Sequence, residues 1–375
     1  MKLCIVTPCV VKGNGQGRVN YEIAWEAIRR GHHVTLLTSQ VALELQKHDR
    51  VNWVDLPIKG VPTQLLREIA FARRSAQWLR QHRHELDLVL ANGAITQAPS
   101  DVNLVPFVHS AWLLSPLHIS RGRWDVYGFY QWLYTVLNAR WEKNAFLQAK
   151  VVVAVSHRVQ QELVDIGIAK EAIEVIWCGV GLEEFFPGEG DRKKFGLPED
   201  VPLALFIGDI RINRKNLDTV LHALVDVPEL HLAVVGILEG SPYPQLAEQL
   251  GLSDRVYFLD NPSGIVPELM RSVDIFVFPS RYEPFGLVVI EAMASGLPVV
   301  TAITTGASEL ISPDCGVVLS DTEDRKGLAE ALSQLASNPD LRHRMGKAAR
   351  TVAEEHSWQK MAQRYVDRFE ELSKP

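Results

Sequence analysis

The stretch that decides the fold is Arg281-Tyr282-Glu283-Pro284-Phe285-Gly286-Leu287-Val288-Val289-Ile290-Glu291-Ala292-Met293-Ala294-Ser295-Gly296-Leu297-Pro298-Val299-Val300. Leu287 to Ile290 and Ala292 to Ala294 surround Glu291, so the pattern predicts a helix that is apolar nearly all round and buried. A carboxylate in such a helix needs partners to stay ionised. Glu283 precedes a proline, which biases it out of the α region and into the entering loop. Pro284 and Phe285 suit a first helical turn. One acid is therefore expected at the mouth of the helix and the other about two turns inside. The free N–H groups and positive dipole end between them form a seat for phosphate. Two hydroxyl-binding carboxylates beside a phosphate seat describe a sugar-nucleotide site. A buried helix with an acid placed for its dipole would explain Glu283 but not Glu291.

Working outward, short apolar runs alternate with helical patterns, the mark of doubly wound α/β structure. Strand candidates in the first half are Leu3–Thr7, His33–Thr38, Val51–Val54, Leu86–Leu90, Leu104–Val108, Val151–Val155 and Ile173–Ile176. Helices fit Gly17–Arg30, Gln64–His84, Tyr127–Gln148 and His157–Ile166. The Pro/Gly/charge-rich stretch Phe186–Arg192 punctuates the middle, and a second alternating series starts at Leu203–Ile207. Two α/β halves would leave a cleft at the carboxyl ends of their strands.

The setting E-P-F-G-L-x-x-x-E-A-M-A-x-G-x-P-V-V resembles the signature of retaining, nucleotide-sugar-dependent glycosyltransferases of family 4 (glycosyl transferases group 1). A bare E-x7-E carries no information; the matched positions around it do. The resemblance continues through Val155-Ser156-His157 to Val175-Ile176-Trp177-Cys178-Gly179-Val180-Gly181, where Cys178 and Gly181 replace the usual Asn and Asp. It resumes at Ser357-Trp358 and the last amphipathic helix. It implies the GT-B architecture, two Rossmann-like doubly wound domains facing a central cleft. Domains are expected at 1–183 and 184–357, with a crossover helix at 358–375 returning to the first.

Composition sets few limits. The 375 residues suggest two domains, and 47% hydrophobic with 22% charged residues is ordinary for a globular protein. Cys4, Cys9, Cys178 and Cys315 form no metal or secreted-disulfide pattern, which points to a reducing, cytoplasmic setting. No segment has the eighteen apolar residues of a membrane span. Residues 1–180 carry 20 Lys+Arg against 15 Asp+Glu, and the remainder 19 against 30. A basic front half on a protein of net charge −6 suggests an anionic partner such as a charged acceptor or the inner face of a membrane.

The remaining site candidates follow from position. Gly13-Asn14-Gly15-Gln16-Gly17 follows the first strand, but its spacing is not the dinucleotide fingerprint, and no acid ends the second strand at Thr38-Ser39. That argues against NAD; by resemblance, Gly15, Gln16 and Gly17 face donor or acceptor. After Gly208, Arg211, Arg214 and Lys215 fall within five positions, and fixed cations would stabilise a leaving diphosphate. Lys215 matches the family lysine. Asp209 stands where the family has arginine, so that role passes to Arg211 or Arg214. His109, at the expected end of a strand, resembles the family histidine near the donor sugar. Thr305 lies in a turn that touches the donor in the family. Glu291 is expected on the ribose hydroxyls, with Glu283, Phe285, Gly286 and Leu287 on the donor sugar.

Two basic, aromatic segments, Gln64–His84 and Trp112–Trp141, fit either core packing with solvated arginines or an anionic interface. No nucleic-acid-binding motif accompanies them. The expected activity is hexose transfer, with retention, from a nucleoside diphosphate sugar (UDP before GDP) to an acceptor hydroxyl of a glycan, lipid or small molecule. Neither metal nor cofactor is implied, because no D-x-D-type acidic pair appears and cations can replace it. A GT-B epimerase, a phosphorylase and a sugar-nucleotide-binding relic are the alternatives.

Overall fold

A computed structural model describes residues 1–58, 60–260 and 264–374. The chain divides into two compact units, Met1–Cys178 with Trp358–Pro375, and Gly179–Ser357. The boundary falls before the expected residue 183. The reason is local: Val180 pairs with Ser357 in a parallel bridge and donates to the His356 carbonyl at 3.0 Å, tying 179–183 to the second unit.

The first unit is a seven-stranded parallel sheet of β1 (Lys2–Val6), β2 (His33–Thr38), β3 (Val51–Asp55), β4 (Leu88–Asn92), β5 (Val102–Val105), β6 (Val151–Ala154) and β7 (Ile173–Val175), in the order β3-β2-β1-β4-β5-β6-β7. The helices that matter for function are α1 (Gly15–Arg29), α2 (Gln64–His82), α3 (His109–Leu114) and α4 (Val126–Gln148). The second unit holds β8 (Leu203–Ile207), β9 (His231–Gly236), β10 (Val256–Asp260), β11 (Ile275–Phe278), β12 (Val299–Ala302) and β13 (Gly316–Leu319), ordered β10-β9-β8-β11-β12-β13. Its key helices are α5 (Leu217–Val225) and α6 (Leu287–Ala294). The last helix, α7 (Trp358–Leu372), belongs to the first unit.

Both sheets are wound outward from a centre, so each is Rossmann-like, with a switch point between β1 and β4 and between β8 and β11. Their central strands are apolar and buried on both faces, as parallel strands covered by helices must be. α7 is strongly amphipathic: Trp358, Met361, Ala362, Tyr365, Val366 and Phe369 are buried, and it packs on α1. Arg30 fixes that contact through Glu26 at 2.7 Å and Asp367 at 2.6 Å. Position 375 of the expected crossover segment lies outside the described residues.

The two basic, aromatic segments differ. In α2, Leu65, Phe71, Ala72, Ala76 and Leu79 are buried and the arginines point outward, so core packing explains it. In the second segment, Leu114, Trp124, Val126 and Phe129 are 76%, 99%, 87% and 63% exposed. Core packing does not explain those. Among the described residues no helix is long and apolar enough to cross a membrane.

Candidate functional site

The acidic motif lies at the switch point of the second unit, where the carboxyl ends of β8 and β11 diverge. The helix starts later than expected. Gly286, at φ 94°, is its N-cap, and Leu287 its first residue. The delay has a cause: residues 283–285 pair with 304–307 as a short parallel ladder. Glu283 N donates to Thr304 O at 3.1 Å, Gly306 N to Glu283 O at 2.9 Å, and Ala307 N to Phe285 O at 2.7 Å. Pro284 and Phe285 therefore lie in a bend ahead of the helix rather than in its first turn.

Glu291 accordingly sits about one turn inside α6, not two. The helix is not buried all round: Val289, Ile290 and Ala292 to Ala294 are buried, while Leu287, Val288 and Glu291 share a half-buried face. That open face is how an apolar helix tolerates the acid. The N-cap, Gly286, has no side chain with which to cap α6. The Glu283 carboxylate instead forms an ion pair with Lys215 Nζ, with side-chain exposures of 16% and 13%.

Lys215 reaches the acid from a turn, Asn213–Lys215, between β8 and α5. Its ammonium lies 5.1 Å from the centroid of the Phe278 ring. Burial pushes its pKa below the usual lysine value; Glu283 opposes that shift and Arg214 adds to it. Gly208 makes the close approach feasible, since a Cβ there would stand 3.2 Å from Lys215 Cγ. Asn216, at φ 65°, ends the turn; its amide donates to Pro279 O at 2.9 Å and Thr322 O at 2.7 Å. Arg281 braces the same region with two 2.8 Å bonds to Asp218 and a bond to Glu323.

The other two cations behave differently. Arg211 is exposed and bound to Asp209 through Nε at 2.9 Å and Nη2 at 2.7 Å. The acid standing in the family arginine position thus neutralises Arg211. Arg214 is half-buried, with Nη1 3.5 Å from Tyr282 O, on the loop that leads to Glu283. Thr305 is fully buried, its methyl lying where a Cβ on Gly286 would be only 3.0 Å away. It supports the glycine from beneath. The structure thus brings together Lys215, Arg214, Gly208, Glu283, Phe285, Gly286, Leu287 and Glu291.

In the first unit, Gly15, Gln16 and Gly17 are not a loop but the first turn of α1, capped by Asn14, whose Oδ1 accepts from Gly17 N at 2.9 Å. Gly17 is buried, and a Cβ there would press on Cys9 Sγ and Val11 O at 3.0 Å, so packing requires this glycine. Gly15 is exposed and Gln16 half-buried. His109 is the first residue of α3 rather than the end of a strand, because β5 stops at Val105. Glu142 holds it twice: Oε1 lies 2.6 Å from Nδ1, and Oε2 accepts the His109 backbone N–H at 3.0 Å. In the neutral ring a carboxylate partner puts the proton on Nδ1, which makes Nε2 the acceptor.

Glu142 escaped the sequence reading, although the signal was present: Thr135, Asn138 and Glu142 form a buried polar stripe on α4. Asn216 left no such trace, since its left-handed backbone shows only in three dimensions. Among the described residues no cluster of three metal-ligating side chains occurs.

Two family models match this chain. The family model described as "Glycosyl transferases group 1" matches residues 189–352, and "Glycosyltransferase Family 4" matches residues 13–184. The D-inositol 3-phosphate glycosyltransferase of Xylanimonas cellulosilytica is 31% identical over 251 residues, 62% of this chain and 60% of that protein. That of Corynebacterium jeikeium is 34% identical over 220 residues, 54% of this chain and 52% of the other. The chain thus spans about half of one relative's length and three fifths of the other's. Among solved structures, sucrose-phosphate synthase from Thermosynechococcus elongatus superposes with a TM-score of 0.78 at 20% identity, covering 99% of this chain and 98% of that one. WaaG, a glycosyltransferase involved in lipopolysaccharide biosynthesis, gives 0.75 at 22%, covering 98% and 99%. Anabaena HepE in complex with UDP and glucose gives 0.72 at 22%, covering 99% and 100%. These likenesses show that the fold is GT-B.

Proposed function

Because the chain belongs to the glycosyltransferase family 4, glycosyl transferases group 1, we propose that it moves a hexose from a nucleoside diphosphate sugar to an acceptor hydroxyl with retention. The observation that carries this reading is the bracket of Glu283 and Glu291 around the glycine-capped N-terminus of α6, with Lys215 and Arg214 beside it. The diphosphate would take Lys215, Arg214 and the first-turn N–H groups, which stabilise the charge that develops as the glycosidic bond breaks. Glu291 would bind the ribose hydroxyls. Glu283, released in part from Lys215, would hold hydroxyls of the sugar, with the backbone of Phe285, Gly286 and Leu287 closing round it. His109 would offer Nε2 to a sugar hydroxyl. Arg211, already neutralised, takes no part.

UDP is the favoured nucleotide, in line with the UDP complex of HepE. The leaving phosphate would assist deprotonation of the attacking hydroxyl on the same face, without a metal or other cofactor. The relatives that act on D-inositol 3-phosphate and the basic first unit both favour an anionic or lipid-linked acceptor. The exposed Leu114, Trp124, Val126 and Phe129 beside Arg121 suit a peripheral contact with an anionic membrane from the cytoplasmic side. Flotation with anionic vesicles should carry the wild type and leave W124A/F129A behind.

Thermal shift with UDP, GDP, ADP and their sugars, with and without magnesium, tests the donor assignment. At a hundred times its dissociation constant a ligand adds about 2.7 kcal/mol of stability. A metal-independent shift with one nucleotide family is expected; no shift with any of them refutes the assignment. Glu291→Gln should weaken nucleotide binding, whereas Glu283→Gln should chiefly slow transfer.

A further inference from the structure

The connection from β4 to β5 is residues 93–101 and contains no helix. Parallel strands are usually linked by a dozen or more residues that include one. Here the segment instead runs against α2, with Gln97 N donating to Ala72 O at 3.3 Å and Ser75 Oγ to Ile95 O at 3.4 Å. Beside this segment lies a cavity of about 280 Å³ between α2 and α4. Small residues, Ala72, Ala94 and Ala98 among them, keep it open.

Two of its polar groups, Glu68 and Asn138, are held by hydrogen bonds. The Glu68 carboxylate accepts from Tyr134 Oη at 2.7 Å and Gln64 Nε2 at 2.8 Å, and Asn138 Nδ2 lies 3.5 Å from it. Asn138 is itself 7% exposed. The indole of Trp141 lies on the same helix, one turn on from Asn138, and Asn144 and Gln148 extend the amide-rich wall. The lining holds no lysine, arginine or histidine. A phosphate, a nucleotide or an acidic sugar would meet a carboxylate and no cationic side chain there. A fixed carboxylate, primary amides and an indole suit the hydroxyls and the apolar C–H face of a neutral sugar. The volume is at the small end of ligand sites, so one ring fits rather than several.

We infer that this cavity is a binding site for one neutral pyranose ring of an oligosaccharide. The inference rests on the glycosyltransferase reading for its purpose, as a subsite for the acceptor chain, but not for its chemistry. Tyr134 links the two: its hydroxyl holds Glu68, and its ring centroid is 5.8 Å from that of His109. A sugar in the cavity would therefore lie one side chain away from the histidine assigned to the reacting sugar.

The test uses the full chain without nucleotide. Methyl glucoside, galactoside and mannoside and their disaccharides are titrated while saturation-transfer NMR follows ligand protons. At least one should bind with a dissociation constant of about 1 mM or tighter. Trp141→Ala should weaken it about tenfold or more, as should Ala98→Leu, which fills the space without removing a polar group. Glu291→Gln should leave it unchanged. No binding by any of these saccharides, or binding indifferent to both cavity variants, overturns the inference. UDP and GDP thermal shifts on the same samples separate the two readings: a lost nucleotide shift with intact saccharide binding refutes the donor site alone. Retained nucleotide shifts without saccharide binding refute the cavity alone.

Discussion

Lys215 and Glu283 are each less than one fifth exposed, so replacing either leaves an ionised group without its ion-pair partner in a largely dry place. Exposed ion pairs are worth about 0–1 kcal/mol, whereas removing one partner of a buried pair costs about 3–5 kcal/mol. This pair lies nearer the buried limit, with Lys215 also over the Phe278 ring. We therefore expect Lys215→Met and Glu283→Gln each to cost about 2–3 kcal/mol. In a unit of this size that lowers Tm by about 4–12 °C, at about 2–4 °C per kcal/mol. The double variant K215M/E283Q should cost no more than either single change, because no charge is then stranded. The coupling from the full cycle should be about 2 kcal/mol. Urea unfolding followed by tryptophan fluorescence and circular dichroism measures all four proteins. A second comparison joins stability to function: saturating UDP should recover most of the loss in E283Q, where the diphosphate replaces the missing anion at Lys215. It should recover little in K215M. Single costs that add to within about 0.5 kcal/mol in the double variant would refute a buried, coupled pair.

Three further outcomes are expected. Between the lowered pKa of Lys215 and its ordinary value of 10.5, the unfolded chain holds more protons there than the folded one, so this group's contribution to stability rises with pH. Its charge falls over the same window, so nucleotide affinity should decline on the alkaline side in the wild type and stay flatter in K215R, whose guanidinium remains charged; identical pH profiles by calorimetric titration would contradict this. Gly286→Ala forces a side chain into φ 94° with Thr305 Cγ2 at 3.0 Å and Glu283 Cγ at 3.2 Å. It should cost about 1–3 kcal/mol and weaken nucleotide binding, read by thermal shift with and without UDP. Hexose transfer should persist in EDTA, since Lys215, Arg214 and the α6 N-terminus supply the positive charge; a loss of about tenfold or more, restored by magnesium, would count against that arrangement.

Much of this protein could be read from order along the chain. Strands such as Leu203–Ile207 are too apolar to be anything but buried, and their alternation with helices determined the doubly wound class. The spacing of Glu283 and Glu291 around a helix start, and the strand and glycine before Lys215, singled out residues of which Lys215 and Glu283 meet in an ion pair. These features rest on local periodicity and backbone chemistry, which neighbouring residues set.

What remained depended on contacts between distant segments. Pairing of 283–285 with 304–307 moved the start of α6 to Leu287 and turned Glu291 onto an open face, which propensity favouring Pro284 could not reveal. Asp209 looked like a lost cation in sequence, but only its two bonds to Arg211 show that it also silences a second one. Glu142 lies 33 positions from His109 and holds it, and the cavity beside Glu68 is lined by a nine-residue connection without a helix together with α2 and α4. Sequence fixes what each residue can do chemically, but which groups meet, and which charges cancel, is decided by packing.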